Sequence, residues 1–344
     1  MSEKNSPDGA GQLVAIEQLA AKLSDGRCGA VRLKEGRATV SLDVSGLDVA
    51  ARDTLSENVR SAISAMPGVG EVRIAMTAQR RGRTIIAVGS GKGGVGKSTL
   101  SANLAIALSQ LGRRVGVVDA DIHGPSQPRL LGQDGVKPSV EGDKLRPVMS
   151  AFGVPLLSMG GLAKDGQAIA WRGPMAGRAL EQLIDAAWGD VDLLIVDLPP
   201  GTGDIQLSIL QKFKPAGAVI ISTPQDLALI DAARAIDLFS QSGVPIIGMV
   251  ENMAGYSCPH CGEESDPFGN GGAEAEAAAM GMAFLGRIPL DRSIRLASDA
   301  GVPPVAQGGT LADPFRAIAS RVDRWLTNNS QGQSQNRNEG PFAP

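Results

Sequence analysis

The stretch TIIAVGS (84–90), GKGGVGKS (91–98), TLSANLAIALSQLG (99–112) decides the fold. It runs from a short Val/Ile-rich segment, through four glycines in six residues, into fourteen residues with helical spacing and no proline. A strand, a glycine-rich turn and a helix follow one another with no residues to spare, which is the opening of a βαβ unit. Downstream the same alternation continues. RVGVVDA (114–120), DLLIVDLP (192–199), GAVIIST (217–223) and PIIGMVEN (245–252) are near-continuous apolar runs separated by helical stretches such as DLALIDAARAIDLFSQSG (226–243). Runs without polar alternation belong to parallel strands covered on both faces, with helices as right-handed crossovers. The expected architecture is α/β, a doubly wound and mostly parallel sheet.

Upstream, the order is helical QLVAIEQLAAKL (12–23), strand-like AVRLKE (30–35) and ATVSLDV (38–44), helical VAARDTLSENVRSAISAM (49–66), then GVGEVRIAM (68–76). This predicts a small α+β accessory domain over residues 11–78, a basic linker at 79–83 and the large domain over 84–327. Residues 1–10 and the tail 328–344, rich in Ser, Asn, Gln and Gly, carry little to bury and are expected to be disordered.

Composition narrows the function. Over 344 residues the hydrophobic fraction is 43% and the charged fraction 20%, those of an ordinary globular chain. A net charge of −3 argues against binding nucleic acid through a broad basic field. No apolar run reaches bilayer length and the N-terminus lacks a signal-peptide core, so no membrane partner and a cytoplasmic location are expected. Cys28, Cys258 and Cys261 are the only cysteines, too few for a disulfide framework.

The segment Gly91-Lys92-Gly93-Gly94-Val95-Gly96-Lys97-Ser98 fits G-x-x-x-x-G-K-[ST]. Its glycines let the loop curl so that backbone N–H groups point inward at phosphate oxygens, and the following helix adds the positive end of its dipole. Lys97 is expected on the β- and γ-phosphates, Ser98 on Mg²⁺, and Thr99 on a more distal phosphate oxygen. Asp119 and Asp121 close one strand and Asp197 closes another, at the strand ends where open α/β sheets bind ligands. Asp197 suits a Mg²⁺ site reached through water, because a hard cation takes oxygen ligands and keeps part of its hydration shell. Helix capping is the competing use of each aspartate.

Cys258-Pro259-His260-Cys261 places two thiols where they can grip one metal ion or neighbouring irons of a cluster. From spacing, an iron–sulfur cluster, zinc and a redox pair remain open, with His260 a solvent-facing loop residue or a zinc ligand. His123, beside Asp121, reads as structural or catalytic, and Cys28 as a small buried hydrophobe.

Lys92, directly after the first glycine of the loop, resembles the deviant phosphate-binding loop of the MinD/ParA class of ATPases. Within that class KGGVGKST, DADIHGPS, DLPPGTGD and ENMAGYSCPHCG are similar to the Mrp/ApbC family of iron–sulfur cluster carrier proteins, over about residues 84–325. The resemblance implies an ATP-hydrolysing homodimer that binds a cluster, with 4Fe–4S the expected type, and hands it to apo-proteins in company with cluster-assembly factors. It implies that Lys92 reaches into the partner subunit's nucleotide site and that Asp121 orients the attacking water. It also implies that Asn252 contacts adenine and that IPLDRSIR (288–295), around Pro289, packs near the base. The alternatives are a positioning ATPase of the MinD or ParA kind and a zinc-stabilised nucleotide switch. The first needs a C-terminal amphipathic helix, which the polar tail does not supply. The N-terminal unit resembles the small domain that precedes the ATPase in many family members. It lacks a cysteine in SLDVSGLDVAARD (41–53), where free-standing versions carry one, so docking is its expected role.

Overall fold

The computed structural model describes residues 8–34, 36–44, 47, 49–77, 83–122, 124–162 and 173–338. The chain divides into two compact units, Met1–Gly82 and Arg83–Pro344. In the first, α1 (Asp8–Leu23) is followed by β1 (Cys28–Lys34), β2 (Arg37–Asp43), α2 (Val49–Ser64) and β3 (Glu71–Thr77). β2 is the middle strand, antiparallel to β1 and parallel to β3. Its alternate residues Ala38, Val40 and Leu42 are fully buried with Ile16 and Ala20 of α1 and Val59 and Ile63 of α2, so one face of the sheet makes the core. Cys28 is only half-buried, at the rim of this cluster. Burial still pushes its thiol above the ordinary range, with the Glu17 charge adding to the effect.

The second unit begins with β4 (Thr84–Gly89), α3 (Lys97–Gln110), β5 (Val115–Asp119) and α4 (Gln127–Leu130). An exposed hairpin of β6 (Ser139–Glu141) and β7 (Lys144–Arg146) precedes β8 (Val148–Met149) and β9 (Pro155–Ser158). Then come α5 (Gly173–Ile184), β10 (Leu193–Asp197), α6 (Asp204–Phe213), β11 (Gly217–Ser222), α7 (Asp226–Gln241) and β12 (Ile246–Asn252). A second small hairpin, β13 (Tyr256–Ser257) and β14 (Glu264–Ser265), leads to α8 (Gly272–Ala279), β15 (Phe284–Ile288), α9 (Arg292–Asp299), α10 (Pro304–Gln307) and α11 (Asp313–Asn338).

Eight strands form one sheet in the order β15-β12-β11-β4-β10-β5-β9-β8, parallel except for the edge strand β8. Every residue of β5, β10 and β11 is buried. Along β4, Ile86 and Val88 join a core built with α3 and α11, whereas Ile85 and Ala87 join one built with α5, α6, α7 and α8. Helices therefore cover both faces, which makes the sheet doubly wound. From β4 the chain crosses to β5, returns through β10 between them, and only then passes to β11 on the other side of β4. That reversal opens a crevice beyond the strand ends.

The chain ends differ from expectation. α1 begins at Asp8 rather than after residue 10, and α11 continues to Asn338 through the tail expected to lack structure. Extending an existing helix costs far less than nucleating one, and no proline interrupts residues 328–338. Residues 1–7 and 339–344, and most of the linker at 79–83, lie outside the described residues.

Candidate functional site

Strand β4 ends at Gly89 and α3 starts at Lys97, so seven residues make the turn between them. Gly91 is wedged against α7, where a Cβ would overlap the Asp231 carbonyl. Gly96 adopts φ 90°, and a Cβ there would overlap the Asn252 amide. The first position thus requires glycine for space, and the second for its backbone angle. Gly96 caps α3 without any side-chain hydrogen bond, leaving first-turn N–H groups available to an anion. Ser90 Oγ steadies the loop by donating to Lys92 O at 3.0 Å.

Beneath the loop, Lys97 Nζ donates to Asp197 Oδ1 at 2.7 Å and lies 3.3 Å from Ser98 Oγ. Asp197 is fully buried, and each of its oxygens is used: Oδ1 also accepts from Ser101 Oγ at 3.0 Å, and Oδ2 from Gln127 Nε2 at 2.9 Å. The ammonium therefore sits where the two oxygens expected to serve Mg²⁺ converge. A cation already occupies that point, and the donors are hard oxygens, so the residues fit the ion.

Asp119 is the register partner of Asp197 on the neighbouring strand. Its carboxylate accepts from the backbone N–H groups of Asp121, Ser126 and Gln127 and from Ser158 Oγ. Complete burial and the nearby Asp197 charge still push its carboxyl up to about 7. Asp119 is an anchor for the 121–127 segment, while Asp121, two residues on, faces the cleft and accepts from Gly124 N. Gln127 was not singled out from sequence. Its buried side chain also donates to Ser98 O at 2.9 Å, tying β5, β10 and the phosphate loop together. His123 lies outside the described residues.

A cleft of about 500 Å³ opens over these groups. Lys92, Gly93, Gly94, Gly96, Lys97, Ser98, Thr99, Asp121, Asn252 and Pro289 line it, whereas Gly91, Val95 and Asp197 are not among its lining residues. The lining also includes the apolar side chains of Met253, Ile288, Pro289, Leu290, Ile294 and Phe315, together with Asp291, Arg295, Ser298 and Asp299. Asn252 Nδ2 donates to Val95 O at 2.7 Å, so in this structure its amide braces the phosphate loop. Met253 follows in the left-handed region at φ 60°, a strained angle for a side chain of that size. Lys92 is exposed, and no described residue of the chain forms an ion pair with it.

The thiol pair stands apart from this cleft, at the tip of the β13–β14 hairpin. Cys258 N donates to Glu263 O at 2.9 Å and Gly262 N to Cys258 O at 2.8 Å, which folds 258–263 into a tight knuckle. The backbone N–H groups of His260 and Cys261 point at Cys258 Sγ and, with the Cys261 thiol, lower its pKa. Cys258 is half-buried; Cys261 and His260 are exposed. Among the described residues no three His, Cys, Asp or Glu side chains gather around one metal position. The chain therefore offers two thiols, of which Cys258 is biased toward thiolate, and not a closed shell.

A family model described as ParA, NUBPL iron-transfer P-loop NTPase, matches residues 81–323. An iron–sulfur cluster carrier protein of Deinococcus radiodurans is 46% identical over 287 residues, covering 80% of this chain and 79% of its own. One from Methanocaldococcus jannaschii is 43% identical over 240 residues, covering 69% and 83%. Among solved structures, a nucleotide-binding protein from Archaeoglobus fulgidus in complex with ADP superposes with a TM-score of 0.56 at 42% identity, covering 64% of this chain and 86% of that one. The septum site-determining protein MinD of Pyrococcus horikoshii with Mg-ADP gives 0.54 at 26%, covering 71% and 97%. The matched span takes in the phosphate loop, both aspartate-ended strands and the cysteine hairpin, and the chain belongs to the NUBPL-type iron-transfer P-loop NTPases.

Proposed function

We propose that two copies of this P-loop ATPase hold one 4Fe–4S cluster between their Cys258 and Cys261 pairs and deliver it to apo-proteins under the control of Mg-ATP. The observation that carries the reading is the knuckle itself. It supplies two thiols, one already biased toward thiolate, where a 4Fe–4S cluster takes four. A two-fold axis brings identical patches together, so a second copy supplies the missing pair. The relatives named as cluster carriers support the cargo.

At the nucleotide end the phosphates draw Lys97 off Asp197, since a triphosphate offers the ammonium more negative charge than one carboxylate. Asp197 then keeps its orientation through Ser101 and Gln127. Mg²⁺ held by Ser98 and, through water, Asp197 supplies neutralising charge. The loop amides and Lys97 stabilise the transferring phosphoryl group, and Asp121 orients the attacking water in line. Lys92 adds charge from the partner subunit. Asn252 and Pro289 bound the adenine, with apolar lining residues such as Met253 and Ile288 against its faces.

Anaerobic reconstitution tests this reading, with iron per chain, solution mass and Mössbauer spectra measured on one sample. About two irons per chain in a dimer is expected for one shared four-iron cluster. Four irons per chain in a stable monomer overturns the bridging reading, and zinc without sulfide overturns the cargo.

A further inference from the structure

The cysteine hairpin leaves the sheet at the end of β12 and returns at the start of α8. The last two residues of β12 project to opposite faces, as neighbours on a strand must. Asn252 turns to the phosphate loop and holds Val95 O. Glu251 turns the other way, is fully buried, and accepts from Gly271 N at 3.0 Å, Ala273 N at 2.8 Å and Arg287 Nε at 3.0 Å. Gly271 and Ala273 are the exit of the hairpin segment. Its entry is tied down as well: Ala254 N donates to Ile288 O at 3.1 Å, and Leu290 N to Gly255 O at 2.9 Å. Ile288 and Leu290 line the nucleotide cleft. The entry of the thiol-bearing segment is thus fastened to residues 288 and 290, which line the nucleotide cleft, and its exit to Glu251, the neighbour of cleft-lining Asn252.

We propose that Glu251 is a positioning residue for cluster release: its carboxylate clamps the exit of the cysteine hairpin to the strand end whose Asn252 braces the phosphate loop, so that nucleotide occupancy changes how the thiols are held. The inference rests on the carrier reading above. A shift of the phosphate loop on binding nucleotide reaches Asn252 through the Val95 carbonyl. It reaches Glu251 through the single peptide unit that joins the two residues, which is planar and moves as one body. Glu251 has three donors and uses both oxygens. Arg287, held also by Glu274 and lying over the Phe284 ring at 5.3 Å, fixes the carboxylate from the solvent side. A glutamine has nearly the same shape but only one acceptor oxygen, and its NH₂ group must face an N–H donor. Glu251→Gln therefore loosens the clamp without opening a cavity.

The test uses the full chain loaded anaerobically with cluster and follows iron loss to a ferrous chelator with and without Mg-ATP. In the natural protein the two rates should differ, because a nucleotide that changes how the thiols are held changes how readily iron leaves them. In Glu251→Gln the ratio should fall toward one while iron content and nucleotide affinity stay unchanged, which a merely structural defect would not produce. An unchanged ratio in the variant, or a ratio of one in the loaded natural protein, overturns the inference. Failure of the natural protein to take up iron sinks the carrier reading instead. Should the variant not fold, amide exchange across residues 254–273 of the natural protein decides: protection of Gly271 and Ala273 that differs between ADP and a non-hydrolysable ATP analogue supports the clamp, and identical protection overturns it.

Discussion

The Lys97 ammonium and the Asp197 carboxylate meet at 2.7 Å with both side chains withdrawn from solvent. The lysine expected on phosphate thus rests on the carboxylate proposed to serve the metal. Each of the two charges spares the other from being buried alone, and under the proposed function Mg-ATP is expected to substitute phosphate for one partner and a hydrated cation for the other.

Lys97→Ala removes one side of that pair. It should abolish hydrolysis, a loss of about a hundredfold or more, by analogy with other preorganised charge-stabilising groups. It should also destabilise the nucleotide-free protein by about 3 kcal/mol, because an unpaired buried carboxylate remains. Urea unfolding and steady-state turnover check the two effects separately. Near-normal turnover would overturn the phosphate assignment; undiminished stability would show that Ser101 and Gln127 satisfy Asp197 unaided.

Lys92 is exposed, in contrast to Lys97. Lys92→Ala should leave nucleotide affinity and monomer stability close to those of the natural protein while slowing turnover. A rate that depends on protein concentration before the substitution, and much less after it, is the expected signature of a residue acting across a dimer. Loss of nucleotide binding together with turnover would place its work inside its own subunit.

The cysteines differ in a way that pH exposes. N–H groups aimed at Cys258 favour its thiolate, whereas desolvation and the Glu17 charge oppose thiolate at Cys28. Because the thiolate is the reactive form, alkylation of metal-free protein by iodoacetamide should begin at Cys258 at a lower pH than at Cys28. Mass-resolved labelling between pH 6 and 9 reads the order. Cys28 labelling first would contradict the knuckle geometry.

What was legible in the sequence was what depends on local pattern. The phosphate loop was readable because its glycines answer to a turn only a few residues long. Five parallel strands were readable because burial on both faces removes polar alternation. β15 was not, since FLGRI (284–288) is short and carries Arg287 and a glycine, and it is a strand only because β12 offers it an edge. Gln127 and Glu251 were missed for a related reason. A polar residue at the start of a short helix or at a strand end announces nothing until folding brings its partners to it, and these lie 29 and 70 residues from Gln127 and 20, 22 and 36 from Glu251. Asn252 was expected at the base from a resemblance, and its hold on the Val95 carbonyl is a contact that only the fold brings about.

The two glycines at either end of the loop's first turn separate spatial from conformational need. Gly91 has an ordinary backbone angle, yet a Cβ would overlap the Asp231 carbonyl in the body of α7, which cannot yield as a flexible side chain would. Gly94 has open space around it but a φ of 80°. Gly94→Ala should cost about 1 kcal/mol, the usual penalty for placing an L-residue in the left-handed region, and should weaken nucleotide binding modestly. Gly91→Ala must push the loop off α7, and should lose nucleotide binding altogether while lowering the unfolding midpoint further than Gly94→Ala does. Fluorescent nucleotide titration and thermal melts on the two variants give the ranking. If Gly91→Ala bound nucleotide as tightly as Gly94→Ala, the loop would not be seated on α7 as described, and the glycine at the first position would be serving backbone freedom rather than close approach.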